Sequence, residues 1–451
     1  MRTMRAMRMR AAVSGLAALL LAGSAHAVTV ETVTSPGGIT AWLVEDHTQK
    51  VISLNFAIRG GLASDPKDKA GLSTFAMGLL DEGAGPYDSG QYQGKLEDLS
   101  ASVDFSASED ALQGSLKTLS PTRDEVFELL RLGLTEPHFD APAVERVRAE
   151  INEALDNQQQ SPEALASLAW YKAQFPDHPY ARSSYGTKAA IAAITIDDLK
   201  NFAHTRLGRD NLAISIVGDI TPEVLKPLLD RTFGGLPEKA ELPVSPPDVV
   251  PIDDGKVRLI RKPIPQSVII FGERAIPIHD KDEYAALVLN RILGGDPFNS
   301  RLGNEVREKR GLAYSIGTSL SHFDHVDLID GQTGTKSAST AETIAIIREE
   351  WAKLRDHPPT EAEIEAAKTY IAGSYAVGLE STGAIAARLL GLQQNGFPQN
   401  YFDIRPQLIA AVTVEDVKRV AARLLDPGKL TFVVVGDPAG LKPDETIQPS
   451  D

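Results

Sequence analysis

Thr195 to Asp219 reads TIDDLKNFAHTRLGRDNLAISIVGD, and 218 residues further on Thr413 to Asp437 reads TVEDVKRVAARLLDPGKLTFVVVGD. Nine of the 25 positions are identical in a register without gaps. Both copies follow one physical logic. A Thr at the helix N-cap, with acids in the first turn, satisfies free N–H groups and suits the helix dipole. The helix then gives way to an apolar strand ending in Gly-Asp. A helix-then-strand unit used twice points to tandem duplication. Between the copies, Glu241 to Gly255 (ELPVSPPDVVPIDDG) carries four prolines and interrupts any helical or strand period. The expected organisation is therefore a first domain at 28–240, a linker at 241–255, a second domain at 256–441 and a frayed tail at 442–451.

Within each half, strands and helices mix without strict alternation. Val51 to Arg59 (VISLNFAIR) alternates as a strand does, as do Val103 to Ala107 and, more weakly, Gln113 to Lys117. Their short separations imply antiparallel pairing. Helical patterns follow at Arg123 to Leu134 and Ala141 to Asn157, then at Lys281 to Leu293, Ala341 to Asp356 and Thr360 to Leu379. The fold class expected is α+β, with two domains, each a largely antiparallel sheet covered by helices.

The chain has 451 residues, with 46 Lys plus Arg against 61 Asp plus Glu and a formal charge of −15. The basic footprint of a nucleic-acid-binding protein is missing over the chain as a whole. There is no cysteine, which excludes a disulfide framework, a thiolate zinc site and a cysteine nucleophile. At the N-terminus Arg2, Arg5, Arg8 and Arg10 precede an apolar run from Ala11 to Ala22, and Ala25-His26-Ala27 fits a small-x-small cleavage site. This reads as a signal peptide over 1–27, and a periplasmic protein is expected. The apolar run, about a dozen residues, is shorter than the roughly 20 that span a bilayer, so no membrane anchor is expected.

No phosphate-cradling loop, dinucleotide fingerprint or Gly-x-Ser-x-Gly elbow is present. His322 and His325, in SHFDHVD beside Asp324 and Asp327, form the only close histidine pair. They offer a conceivable metal cluster, but solvent-facing polar residues of a hairpin are the simpler reading. The segment Ile292 to Ile316 (ILGGDPFNSRLGNEVREKRGLAYSI) differs in kind. Ser300 suits the start of a helix running to about Arg310, Gly311 suits its stop, and Leu312, Tyr314 and Ile316 alternate as a strand. Arg307 and Tyr314 then flank one helix-to-strand corner, where both could donate hydrogen bonds to a carbonyl oxygen as it becomes an oxyanion. On spacing alone, a solvated helix face plus a sheet-packing Tyr is the simpler reading.

SRLGNEVREKRGLAYSI closely resembles the second-half motif of the pitrilysin and insulysin type of zinc peptidases, relatives of the mitochondrial processing peptidase. The resemblance extends to the two homologous halves, the strand end Gly60 to Asp65 and the helix start Ala70-Gly71-Leu72. It implies that Arg307 and Tyr314 contact substrate near the scissile bond. It also implies an inverted zinc signature, His-x-x-Glu-His, on the helix after Gly71-Leu72. This chain instead reads GLSTFAMGLLDEGAG, with Thr74 at the first His, Met77 at the Glu and Gly78 at the second His. None of the three can ligate zinc or activate water. Glu150 and Glu153, near the region of the third ligand, read as helix-surface acids, and Asp81 and Glu82 do not restore the motif.

Some two-chain members of that family divide the work, one subunit holding zinc and the other the Arg/Tyr pair. The resemblance therefore implies a metal-free, periplasmic subunit, inactive alone and shaped as one half of a clamshell. Zn would reside in a homologous partner carrying His-x-x-Glu-His, and the substrate would be a peptide or unfolded polypeptide. A catalytically inactive peptide-binding or scaffold protein of the same fold is the alternative. A self-sufficient peptidase with an unusual metal site at His322 and His325 is a third reading.

Overall fold

The computed structural model describes residues 29–448. The expected signal peptide and the last three residues of the tail lie outside the described residues. Strands β1 (Glu31–Thr34), β2 (Thr40–Glu45), β3 (Val51–Arg59), β4 (Ser102–Ala107), β5 (Ala111–Leu119) and β6 (Leu212–Gly218) form one sheet in the order β1-β2-β6-β3-β5-β4. A second sheet contains β7 (Val257–Arg261), β8 (Gln266–Arg274), β9 (Ala313–His322), β10 (Asp327–Lys336), β11 (Thr431–Gly436) and β12 (Glu445–Thr446), in the order β9-β10-β8-β11-β7-β12. Read from β4 in one and β9 in the other, the first five strands follow the same topology; the sixth differs, β1 being antiparallel to β2 and β12 parallel to β7. Each half places its closing strand, β6 or β11, parallel to its first long strand, β2 or β7, and antiparallel to the next. Long hairpins complete both sheets, so each is mostly antiparallel as expected.

The helices that bear on function are α1 (Leu72–Met77), α2 (Ala141–Gln160), α3 (Pro162–Gln174), α4 (Ile196–Thr205), α5 (Glu283–Leu293), α6 (Glu361–Val377), α7 (Thr382–Gln394), α8 (Tyr401–Ala410) and α9 (Val414–Leu424). The repeated unit begins the same way in both copies. Thr195 caps α4 and Thr413 caps α9, each in a reciprocal capping box with the Asp three residues on. One face of each sheet is buried under helices of its own half, in two separate apolar cores.

The other faces are covered by exchange. Helix α3, from the first half, lies on β8 and β11 of the second sheet, where Trp170 and Leu165 pack with Ile260, Ile270, Val433 and Val435. Helix α7, from the second half, lies on β3 and β6 of the first sheet, with Ala386 and Leu389 against Val44 and Val217. Neither half thus buries both faces of its own sheet, and the two are one structural unit.

Gly60 to Asp65 is explained by a buried cluster. Asp65, 1% exposed, accepts hydrogen bonds from the Ser73 amide (3.0 Å) and hydroxyl (2.6 Å) and lies 3.4 Å from Arg206. Arg206 also donates to the Gly61 carbonyl at 3.2 Å. Burial raises the Asp65 carboxyl above its usual range, the Arg206 charge and Ser73 bonds opposing it. The cluster ties the end of β3 to the start of α1 and the end of α4.

The tail departs from expectation. Up to residue 448 it is held rather than frayed. Glu445 and Thr446 add to the second sheet parallel to β7. Asp444 accepts from the Val257 amide at 2.8 Å, and Glu445 pairs with Lys256 at 2.5 Å and Arg258 at 3.0 Å. Three paired carboxylate contacts at a sheet edge outweigh the polar composition that suggested a free end. Residues 241–255 contain no helix or strand, as their prolines imply, but they are anchored by Val249 N–H to the His325 carbonyl (3.1 Å) and Ile252 N–H to the Gln174 carbonyl (3.1 Å).

Candidate functional site

The corner expected between Ser300 and Ile316 exists, with a more widely wound helix than expected. The Ser300 hydroxyl accepts from the Gly303 amide at 3.1 Å, but Gly303–Glu308 is a π-helix, closed by Lys309 N–H to the Asn304 carbonyl at 2.9 Å. Gly311, at φ 60°, makes the turn into β9. The register of β9 against β10 then shifts between Ala313 and Ile316, placing a bulge at Tyr314 and Ser315. A π-helix and a β-bulge both re-aim side chains relative to regular structure. Here they flank the two residues in question.

The result is an exposed cationic and aromatic cluster. The Arg307 guanidinium lies 5.7 Å from the Tyr314 ring centroid and 4.6 Å from that of Phe298. Tyr314 is 89% exposed and Phe298 58% exposed. Among the described residues the one ion pair of Arg307 is a 3.5 Å approach to Glu308, and the Tyr314 hydroxyl has no hydrogen-bond partner. Donors of both side chains are therefore free for a ligand. Phe298 is a member that sequence reading missed. Asp296 pins its loop by accepting from the Phe298 amide (2.8 Å) and Asn299 (3.2 Å), and it is itself paired with Arg291. The run DPFNS, with an Asp just before Pro-Phe, was the available signal for a turn that projects the ring.

β9 is the outermost strand of its sheet, so its free edge could pair with an extended peptide. Beside it is a cavity of about 570 Å³ whose wall includes Pro297, Ser315 and Thr318 from this corner and Trp170 and Tyr171 from α3. The Trp170 indole N–H is buried without an acceptor. An aromatic-walled hollow beside an open strand edge fits a peptide side chain.

The positions that the resemblance aligned with the zinc motif lie in the first half. The Thr74 hydroxyl donates to the Ser184 carbonyl at 2.6 Å, and Met77 is fully buried in the first core. At Gly78 a Cβ would meet the Thr74 carbonyl oxygen at 3.3 Å, closer than ordinary contact, and Val147 at 3.8 Å. A Met side chain packed in the core puts no acid near the surface where water would be activated. Glu150 and Glu153 are exposed on α2, and Glu150 pairs with Arg146 at 2.8 Å. Glu82 is bound by Arg146 and Ser89. Burial pushes the Asp81 carboxyl up to about 6, against the hydrogen bond from Gln93 at 3.1 Å. Among the described residues, no group of three His, Cys, Asp or Glu side chains is placed to hold a metal ion. The residues present at this site do not fit zinc.

His322 and His325 are not the solvent-facing pair that the hairpin suggested, and they face different partners. His322 is largely buried, 2.6 Å from Asp327 and 3.7 Å from Glu283. Burial opposes its charge, but its hydrogen bonds to these carboxylates prevail and raise it to about 9. His325 pairs with Asp248 at 3.1 Å and lies against the Tyr180 ring.

Two family descriptions match successive parts of the chain. The insulinase family (peptidase family M16) matches residues 40–188, and the peptidase M16 inactive domain matches residues 193–371. A Helicobacter pylori protein described as a non-peptidase homolog, YmxG, is 24% identical over 395 residues, covering 87% of this chain and 90% of that protein. An uncharacterized zinc protease of Streptomyces coelicolor is 25% identical over 413 residues, covering 90% and 89%. The crystal structure of a peptidase M16 inactive domain from Pseudomonas fluorescens superposes with a TM-score of 0.81 at 26% identity, covering 92% of this chain and all of that one.

Proposed function

The chain belongs to the insulinase-type peptidase family M16, and from that premise we propose that it is the non-zinc-binding subunit of a heterodimeric zinc peptidase. The observation that carries this reading is a division within one chain. The positions for zinc are Thr74, Met77 and Gly78, with the middle one sunk in the core, while Arg307 and Tyr314 stand exposed with donors unspent. Loss of chemistry in one half with a built, open cluster in the other fits shared labour better than general decay.

In this reading a homologous partner carrying His-x-x-Glu-His supplies the zinc, and the two chains close as halves of a clamshell around a peptide or unfolded segment. Arg307 and Tyr314 bind the peptide carbonyl and donate hydrogen bonds to the oxygen as negative charge develops on it. Stacking between Phe298 and Tyr314 holds the guanidinium plane in place before substrate arrives, so little ordering is left for the reaction step. The free edge of β9 aligns the substrate backbone. The arginine-rich start and Ala25-His26-Ala27 support export to the periplasm, and among the described residues no helix is long and apolar enough to cross a membrane.

The description of the Helicobacter pylori relative as a non-peptidase homolog favours a second reading, a peptide-binding or scaffold protein that keeps the fold without the chemistry. Arg307→Ala separates the two. In the assembled complex the peptidase reading predicts a fall in turnover of about 10²-fold or more with subunit association intact on size exclusion. An unchanged rate in an active complex would sink it.

A further inference from the structure

Along β9 the cavity beside Tyr314 meets a second one of about 760 Å³, the two sharing Gly295, Thr318 and Ser319 in their walls. This second cavity lies where the halves join. Helix α5 and the far end of β9 line it on the second-half side, and α7, the helix that covers the first sheet, lines it together with α8.

Its charges are unbalanced in a particular way. The guanidinium groups of Arg388 and Arg405 lie 5.0 and 4.1 Å from the centroid of one ring, Tyr375. Among the described residues neither has a carboxylate in ion-pair range. Two like charges crowded on one ring repel each other, and in a chain with 61 acids a counter-ion was easily available to evolution. The Tyr375 hydroxyl is buried with no hydrogen-bond partner, and so is Oε2 of Glu283. The Glu283 charge is met from its other oxygen by His322, which leaves Oε2 as an acceptor with nothing to accept. Leaving such groups unsatisfied is unfavourable unless a ligand completes them. Tyr284, Tyr401 and Phe397 add aromatic wall.

A ligand that satisfies all of these groups offers carboxylate oxygens to the two arginines and the Tyr375 hydroxyl, and an N–H to Glu283. The end of a peptide chain has both. We propose that this cavity receives the C-terminal carboxylate of a peptide, the guanidinium forks binding the carboxylate and Glu283 binding a backbone N–H. From Tyr314 to the cavity wall at His322, β9 spans about eight residues of extended chain. A peptide lying on the β9 edge could thus occupy both places, giving the complex a preference for substrates with a free C-terminus at that reach. This link to cleavage rests on the proposed peptidase role, whereas the carboxylate site itself does not.

The test uses the whole mature chain without partner, and fluorescence anisotropy of an N-terminally labelled octapeptide ending in a free carboxylate or in an amide. The acid is expected to bind at least tenfold more tightly than the amide, and Arg388→Gln with Arg405→Gln to abolish that difference. Tyr375→Phe is expected to weaken the acid several-fold without lowering the melting temperature, a loss that a merely structural tyrosine would not show. Equal binding of acid and amide, or discrimination that survives in the double variant, would overturn the proposal. Displacement of the peptide by equimolar succinate or inorganic phosphate would overturn the peptide assignment in favour of a free anion. Failure of the peptidase reading shows elsewhere, as turnover insensitive to Arg307→Ala, and leaves these binding results intact.

Discussion

Tyr314 and Arg206 stand at opposite extremes of what a side chain can contribute here. Tyr314 projects into solvent and its hydroxyl has no partner in the fold, so Tyr314→Phe should leave the melting temperature unchanged while lowering turnover of the complex, which a thermal scan and a rate assay on one preparation would check. Arg206 is 2% exposed against Asp65, and Arg206→Ala leaves a buried carboxylate uncompensated. A loss of about 3–5 kcal/mol is expected, measurable by urea unfolding. His322 gives the pH prediction. Its folded value of about 9 lies above the usual 6.5 of a free histidine, so its stabilisation is complete below pH 6.5 and is lost as pH rises through 9. The wild type should lose on the order of 3 kcal/mol more than His322→Gln between pH 6 and 10, and parallel pH profiles of the two would refute the assignment. The Arg307 and Tyr314 pair was legible only through a motif, since spacing alone favoured a solvated helix face and a sheet-packing Tyr. Phe298 was missed: DPFNS marks the turn, but the exposure of the ring depends on how Asp296 pins the loop.

Helices α3 and α7 decide how the halves hold together. Each covers the other half's sheet, and neither stood out in the sequence. PEALASLAWYKAQ and TGAIAARLLGLQQ lack a clean polar face at helical spacing, for both sides of each are partly covered. The helices at 123–135 and 340–356, with one wet face, were legible from periodicity within a residue or two. The strands followed the same rule. VISLNFAIR gave β3 to the residue, whereas β12 was hidden in a polar tail because two residues carry no period. The exchange predicts that Leu389→Asp, on α7, raises hydrogen exchange in β3 and β6 of the first sheet more than in the second. Exchange rising mainly around α7's own half would contradict it. The π-helix at Gly303–Glu308 was equally invisible, since its spacing differs from an ordinary helix by too little to read over six residues.

For the whole molecule, the exchange means that residues 29–240 expressed alone should not form a stable monomer, for the face of the first sheet that Ala386, Leu389 and Leu390 cover would be bare. A cooperative, monomeric fragment would show that the halves are independent. Two sheets that share a five-strand topology, small and apolar residues at the positions aligned with the zinc motif, and an open Arg/Tyr corner are what the proposed divided site rests on. The decisive measurement is peptide cleavage by the purified protein, alone and mixed with a homologue from the same source carrying His-x-x-Glu-His, with zinc counted per chain. The divided-site account predicts no cleavage and no stoichiometric zinc for this chain alone, and cleavage on mixing that falls with Arg307→Ala. Zinc-dependent cleavage by the isolated chain would contradict it.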